Sequence, residues 1–153
     1  MDNGSSYDGE FEFGIPHGMG ILTWPDGVVY EGTFEGGIIQ GTGTYKWPDG
    51  STYTGGIMNG KREGHGKFEC SGGQVYDGEW KSGLRSGEGK MYYNFDRTIS
   101  YSGSWKLGLR DGYGTMKYAS GNTYEGYWEK DRKCGMGVMI WRDVDEIYTG
   151  YNS

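Results

Sequence analysis

Hydrophobic residues along this chain fall into two short alternating patterns that recur in turn. In the first, Tyr-x-Gly-x-ring, the first, third and fifth side chains share one side of a strand, because side chains alternate with period two. Phe11, Phe34, Ile57, Trp80, Trp105 and Trp128 fill its fifth position. In the second, Gly-x-apolar-x-ring, the apolar positions are Leu22, Tyr45, Phe68, Met91, Met116 and Met139, followed by Trp24, Trp47, Cys70, Tyr93, Tyr118 and Trp141. Each pair of patterns predicts a β-hairpin with one apolar face.

The pairs repeat with Tyr7, Tyr30, Tyr53, Tyr76, Tyr101, Tyr124 and Tyr148 at their heads. The third, eighth, twelfth and fourteenth positions of each unit are Gly almost throughout. Trp24-Pro25-Asp26-Gly27 and Trp47-Pro48-Asp49-Gly50 carry turn chemistry between successive hairpins. A mid-strand Gly weakens a sheet, so Gly9, Gly32, Gly55, Gly78, Gly103 and Gly126 are expected to leave space in which neighbouring rings lie flat and stack in columns. One hairpin is marginal alone, and stacked neighbours bury the rings. The fold class is therefore all-β: an elongated, twisted, single-layer array of stacked hairpins, six full units and a partial seventh. Residues 1–6 form a tail, 7–151 the array with units starting at 7, 30, 53, 76, 101, 124 and 148, and 152–153 the end.

Composition excludes other ways of being glycine-rich. Gly accounts for 32 of 153 residues but does not recur every third position, and Pro numbers only 3, so collagen is ruled out. Aromatic residues make up 16%, enough to bury a core and exclude disorder. Two Cys in no metal-ligand spacing point to a reducing compartment, and no signal peptide or spanning stretch is visible, so a cytoplasmic protein is expected. Of the net charge of -6, residues 1–60 contribute -7 (eight acids, one base) and residues 61–153 contribute +1 (thirteen acids, fourteen bases).

The pattern YxGxW followed by GxxxGxG resembles the MORN repeat over residues 7–151. The off-length segments GKMYYNFDRTISYSGSW and GVMIWRDVDEIYTG are similar to the arrays of radial spoke head proteins of cilia and flagella. The resemblance implies a non-catalytic scaffold of the axoneme that binds other proteins, with self-association in some members and lipid binding as the competing inheritance. Asp131 in place of the eighth-position Gly and Cys70 in place of a ring depart from the pattern, and local irregularity is expected in units six and three.

Two contact surfaces follow from the residues. A one-layer sheet has no second layer to cover its apolar face, so some of Phe34, Trp80, Trp105 and Trp128, with Tyr53, Tyr76 and Tyr101, are expected to line a groove for a partner helix. The loop after the eighth position carries Arg62, Arg85, Arg110 and Lys133 in four successive units, supplemented by Lys61 and Arg132. This basic edge is expected to steer a protein partner; an acidic chain is disfavoured at a lipid surface. The equivalent positions of units one and two are apolar, with Ile15, Ile38 and Ile39 set for a different contact. His17 and His65 read as loop residues, and no catalytic constellation, cofactor, metal site or nucleic-acid partner is expected.

Overall fold

The computed structural model describes residues 3–142 and 146–152. They form thirteen strands and, among the described residues, no helix: β1 (Ser6–Glu12), β2 (Ile15–Thr23), β3 (Val29–Glu35), β4 (Ile38–Lys46), β5 (Thr52–Met58), β6 (Lys61–Glu69), β7 (Val75–Lys81), β8 (Leu84–Tyr92), β9 (Ser100–Lys106), β10 (Leu109–Lys117), β11 (Thr123–Glu129), β12 (Arg132–Trp141) and β13 (Glu146–Asn152). The chain divides into two compact units, one reaching to Ser71 and including Trp80–Gly83, the other comprising Gly72–Glu79 and the chain from Leu84. In the first, β1 to β6 pair antiparallel in chain order. In the second, β8 to β13 do the same. The fold is all-β, built from consecutive hairpins.

Each hairpin closes through two residues with positive φ, such as Asn59 (51°) and Gly60 (78°) or Leu107 (51°) and Gly108 (83°). Two such residues define the mirror-image turn whose twist matches antiparallel strands. Between hairpins the Pro-Asp-Gly segments behave as turns: the Gly27 amide donates to the Trp24 carbonyl at 3.0 Å, and Gly50 to Trp47 at 3.0 Å.

The third and fourteenth positions meet across strands. Gly9, Gly20, Gly32, Gly43, Gly55 and Gly66 pair in one row in the first unit, and Gly89, Gly103, Gly114, Gly126, Gly137 and Gly150 form another in the second. The reason differs partly from the sequence expectation. A Cβ at Gly103 would meet the backbone of Gly114 and lie 2.5 Å from the Tyr113 carbonyl oxygen, so the third-position Gly permits close backbone approach. The fourteenth-position Gly is the bed of the ring, because a Cβ at Gly66, Gly89 or Gly114 would fall within the ring of Tyr53, Tyr76 or Tyr101.

Tyrosines at the heads of units two to five are the most deeply buried large side chains: Tyr30, Tyr53, Tyr76 and Tyr101 are all below 2% exposed, whereas Tyr148 is 54% exposed. Each of these buried tyrosines donates its hydroxyl to the carbonyl three residues on, as Tyr53 does to Gly56 at 2.7 Å and Tyr101 to Ser104 at 2.9 Å. The expected flat stacking is seen for Trp24 with Tyr45 (6.1 Å, 20°) and Tyr45 with Trp47 (5.8 Å, 23°), but the buried head tyrosines and the fifth-position rings do not stack. They meet edge to face, Tyr76 with Trp105 at 5.4 Å and 88°, and Tyr101 with Trp128 at 5.4 Å and 85°, the arrangement that brings positive ring edges to negative faces.

Candidate functional site

All seven rings expected to line a groove are core. Phe34, Tyr53, Tyr76, Trp80, Tyr101, Trp105 and Trp128 are between 0% and 6% exposed. An open trough for a helix is therefore not what these residues form, and the cover comes from the residues assigned to the other surface. The Arg62 guanidinium lies 4.5 Å from the centroid of Trp80, Arg85 lies 4.7 Å from Trp105, and Arg110 lies 4.6 Å from Trp128.

Local geometry explains the placement. A base at the tenth position faces the fifth-position residue of its own hairpin, as Arg110 pairs with Trp105 and Lys133 with Trp128. Its long stem then reaches the fifth-position ring of the following unit. The guanidinium also donates to the backbone of the next hairpin turn: Arg62 Nη2 to Gly83 O at 3.0 Å, and Arg85 Nη2 to Gly108 O at 2.7 Å. Cation–π attraction and charge-assisted hydrogen bonds fix these side chains, and Arg suits both because its planar head stacks and donates together. Three members of the basic edge are thus engaged within the array. Lys133 is half-buried, with its ammonium 4.6 Å from the centroid of Tyr124, while Lys61 and Arg132 are exposed.

Asp131 does not disrupt unit six. It keeps the turn with φ of 70° and uses its carboxylate to accept from the Arg110 amide at 2.8 Å and from Arg110 Nε at 3.0 Å. Desolvation pushes its carboxyl up. The Arg110 backbone and side-chain hydrogen bonds, with the guanidinium charge, outweigh this and hold it below the usual carboxylate value. Burial pushes the Tyr53 hydroxyl up to about 12, against the lowering effect of Arg62. The same desolvation, opposed by Arg85 and Arg110 respectively, raises Tyr76 and Tyr101.

Two features escape the sequence patterns. The fourth-position side chain caps the bulge in its hairpin: Glu10 Oε2 accepts from the Met19 amide at 2.6 Å, and Glu79 Oε2 from Glu88 at 2.6 Å. The bulge contains Gly18 and Gly87 at φ of 76° and 70°. The second feature lies on the face opposite the rings, where β10 to β13 present Tyr113, Tyr127, Met136 and Tyr151, all at least half exposed. Tyr113 and Tyr127 meet at 5.5 Å, and Met136 pairs with Tyr151. In earlier units the thirteenth position holds Met19, Thr42, His65 and Glu88 and the fourth holds Glu10, Thr33, Gly56, Glu79 and Ser104, so no one residue type marks them.

Ile15 and Ile38 are exposed, whereas Ile39 is buried. His17 and His65 lie on strands β2 and β6, not in loops as expected; His17 Nε2 is 3.1 Å from a Glu12 oxygen, and His65 is exposed. Cys70 and Cys134 are both partly buried free thiols. Of the three Met at the recurring apolar position, Met91 and Met116 are core, whereas Met139 is half-buried. Among the described residues no cluster of three or more His, Cys, Asp or Glu is arranged to hold a metal ion, and no helix is long and apolar enough to cross a membrane.

No curated protein matches the chain. The family model described as MORN repeat matches six times, at residues 7–29, 30–52, 53–75, 76–94, 101–123 and 124–143. These segments coincide with the hairpins whose glycine rows and edge-to-face rings are described above, and the chain belongs to the MORN-repeat family.

Proposed function

We propose that this chain is a non-catalytic protein-binding scaffold, a component of the radial spoke head in the axoneme of cilia or flagella. MORN repeats mediate binding to proteins or membranes, and the choice between the two rests on where the cations are. Arg62, Arg85 and Arg110 lie over Trp rings and donate to the array's own backbone or to Asp131. A lipid surface would have to recruit those same charges, against a net charge of -6. A protein partner can instead use the exposed apolar side chains of the opposite face.

The ciliary assignment is supported by the resemblance of residues 89–105 and 137–150 to radial spoke head arrays. The extension in the fourth unit is a built turn: the Tyr93 amide donates to Ile99 O at 2.9 Å, and Asn94, Asp96 and Thr98 bond to one another. Phe95 stands 77% exposed at its tip. The corresponding loop in the sixth unit, 143–145, lies outside the described residues.

Fractionation of ciliated cells tests the proposal. The chain should stay with detergent-extracted axonemes and be released in the same salt step as spoke heads. A chain found wholly in the detergent-soluble fraction would overturn the ciliary reading, and vesicle flotation that persists at physiological salt would favour the membrane alternative.

A further inference from the structure

Each fifth-position Trp is seated by three groups from the unit before it. Trp80 meets the Tyr53 ring edge to face at 5.6 Å and 89°, lies under Arg62 at 4.5 Å, and donates its Nε1–H to Gly66 O at 2.9 Å. Trp105 has Tyr76 at 5.4 Å, Arg85 at 4.7 Å and Gly89 O at 3.0 Å. Trp128 has Tyr101 at 5.4 Å, Arg110 at 4.6 Å and Gly114 O at 3.4 Å. One constellation, a tyrosine edge, a cation and a glycine carbonyl, holds an indole three times.

Unit six supplies the same three groups as Tyr124, Lys133 and Gly137, but the residue that follows at the fifth position is Asn152. Its amide donates to Tyr124 Oη at 2.9 Å and to Gly135 O at 3.3 Å. Being short, it leaves a cleft of about 280 Å³, walled by Tyr124, Lys133, Gly137, Met139, Trp141 and Tyr148. We propose that this cleft is a socket for a tryptophan side chain of a protein partner. The charges complement that occupant: the Lys133 ammonium matches the electron-rich indole face, and the Gly137 position matches the indole N–H. The assignment rests on the protein-binding reading, not on the ciliary one.

The test uses the full chain, with N-acetyltryptophanamide and a short peptide carrying Trp between Asp and Glu as probes, followed by amide NMR. Both probes should give saturable shifts confined to Tyr124, Lys133, Gly137, Met139 and Asn152, and the same peptide with Leu for Trp should give none. Asn152→Trp should fill the socket from within, abolish the shifts and raise the melting temperature. Lys133→Gln, which leaves the cleft walls in place, should weaken the acidic peptide about two- to fivefold, as loss of one cation–π contact implies. Absent or scattered shifts, or full binding by Asn152→Trp, would overturn the socket. Should that variant fail to fold, unchanged affinity in Lys133→Gln overturns it instead. The cell fractionation is independent of these outcomes, so failure of the socket and failure of the scaffold reading are distinguishable.

Discussion

Replacing Gly114 by Ala sets packing directly against backbone propensity. In a strand interior Ala is favoured over Gly by about 0.5–1 kcal/mol, so propensity alone predicts a more stable protein. The structure predicts the reverse. A Cβ at Gly114 would fall within contact distance of Oη, Cζ and Cε2 of Tyr101, a ring with 0% exposure. That ring stands edge to face with Trp105 at 5.0 Å and Trp128 at 5.4 Å, and its hydroxyl donates to Ser104 O at 2.9 Å. It cannot retreat without loosening all three contacts. Overpacking costs about 1–3 kcal/mol, and part of a hydrogen bond and of two aromatic pairs is lost with it, giving a net destabilisation of about 2–4 kcal/mol.

The assay is urea unfolding of the full chain, run as a double-mutant cycle with Tyr101→Leu. Leu is too short to cover Gly114, so in that background Gly114→Ala should be neutral or stabilising, with a coupling of about 1.5 kcal/mol or more. If Gly114→Ala matches the parent in stability, or costs the same in both backgrounds, the glycine row is not the bed of the tyrosine rings.

Arg85→Ala should destabilise by about 1–3 kcal/mol, because it removes both the cation over Trp105 and the bond to Gly108 O, and Arg85→Lys should recover only part; an Ala variant equal to the parent in urea would refute this. Asp131→Asn should lower stability at pH 7, and the difference from the parent should vanish as acidification protonates the folded-state carboxyl. A carboxyl held below its usual value in the folded state stabilises above the unfolded pKa and stops doing so as pH falls through the folded one, so a pH-independent difference would contradict the Arg110 pairing. Tyr45 and Tyr53 are raised to about 12, chiefly by desolvation, and their contribution is complete below pH 10 and lost as pH rises from about 10 to about 12. Urea midpoints should accordingly fall steeply across that window, and a flat profile would mean the rings are solvated.

The strands and their hairpin pairing were legible because alternation and a fixed spacing of Gly are local properties of the chain. The Pro-Asp-Gly turns were legible for the same reason. Ring geometry was not, because alternation gives the face of a side chain and nothing about the angle at which two rings meet. The cover over Trp80, Trp105 and Trp128 was hidden differently. It joins the tenth position of one unit to the fifth position of the next, and a pattern read within units separates them into a groove and an edge. Asp131 read as a defect because a non-Gly residue at positive φ costs energy, whereas its carboxylate recovers that cost through Arg110. The opposite-face row from Tyr113 to Tyr151 had no periodic signal, since those positions elsewhere hold residue types as different as Met19, Thr42, His65, Glu88 and Gly56.

Reading the tenth position together with the next unit's fifth position makes one rule of two. Pro16 is followed by Phe34, and Ile39 by Ile57, whereas Arg62, Arg85 and Arg110 are followed by Trp80, Trp105 and Trp128. Apolar residues accompany side chains without an N–H, and guanidinium groups accompany indoles, whose faces bind cations best. The change in charge between the two parts of the sequence is therefore partly a change in how rings are covered. This alters what charge reversal can measure. Arg85→Glu or Arg110→Glu would place a carboxylate against a Trp face and strip a donor from the next turn, so slower association with a partner would report a damaged core as readily as lost steering. Lys61 and Arg132 are exposed, and reversal there leaves the Trp covers intact. A partner steered by this edge should associate more slowly and with weaker salt dependence after Lys61→Glu and Arg132→Glu, with unfolding unchanged. An association rate that does not respond to those two reversals would confine the role of the basic edge to holding the array together.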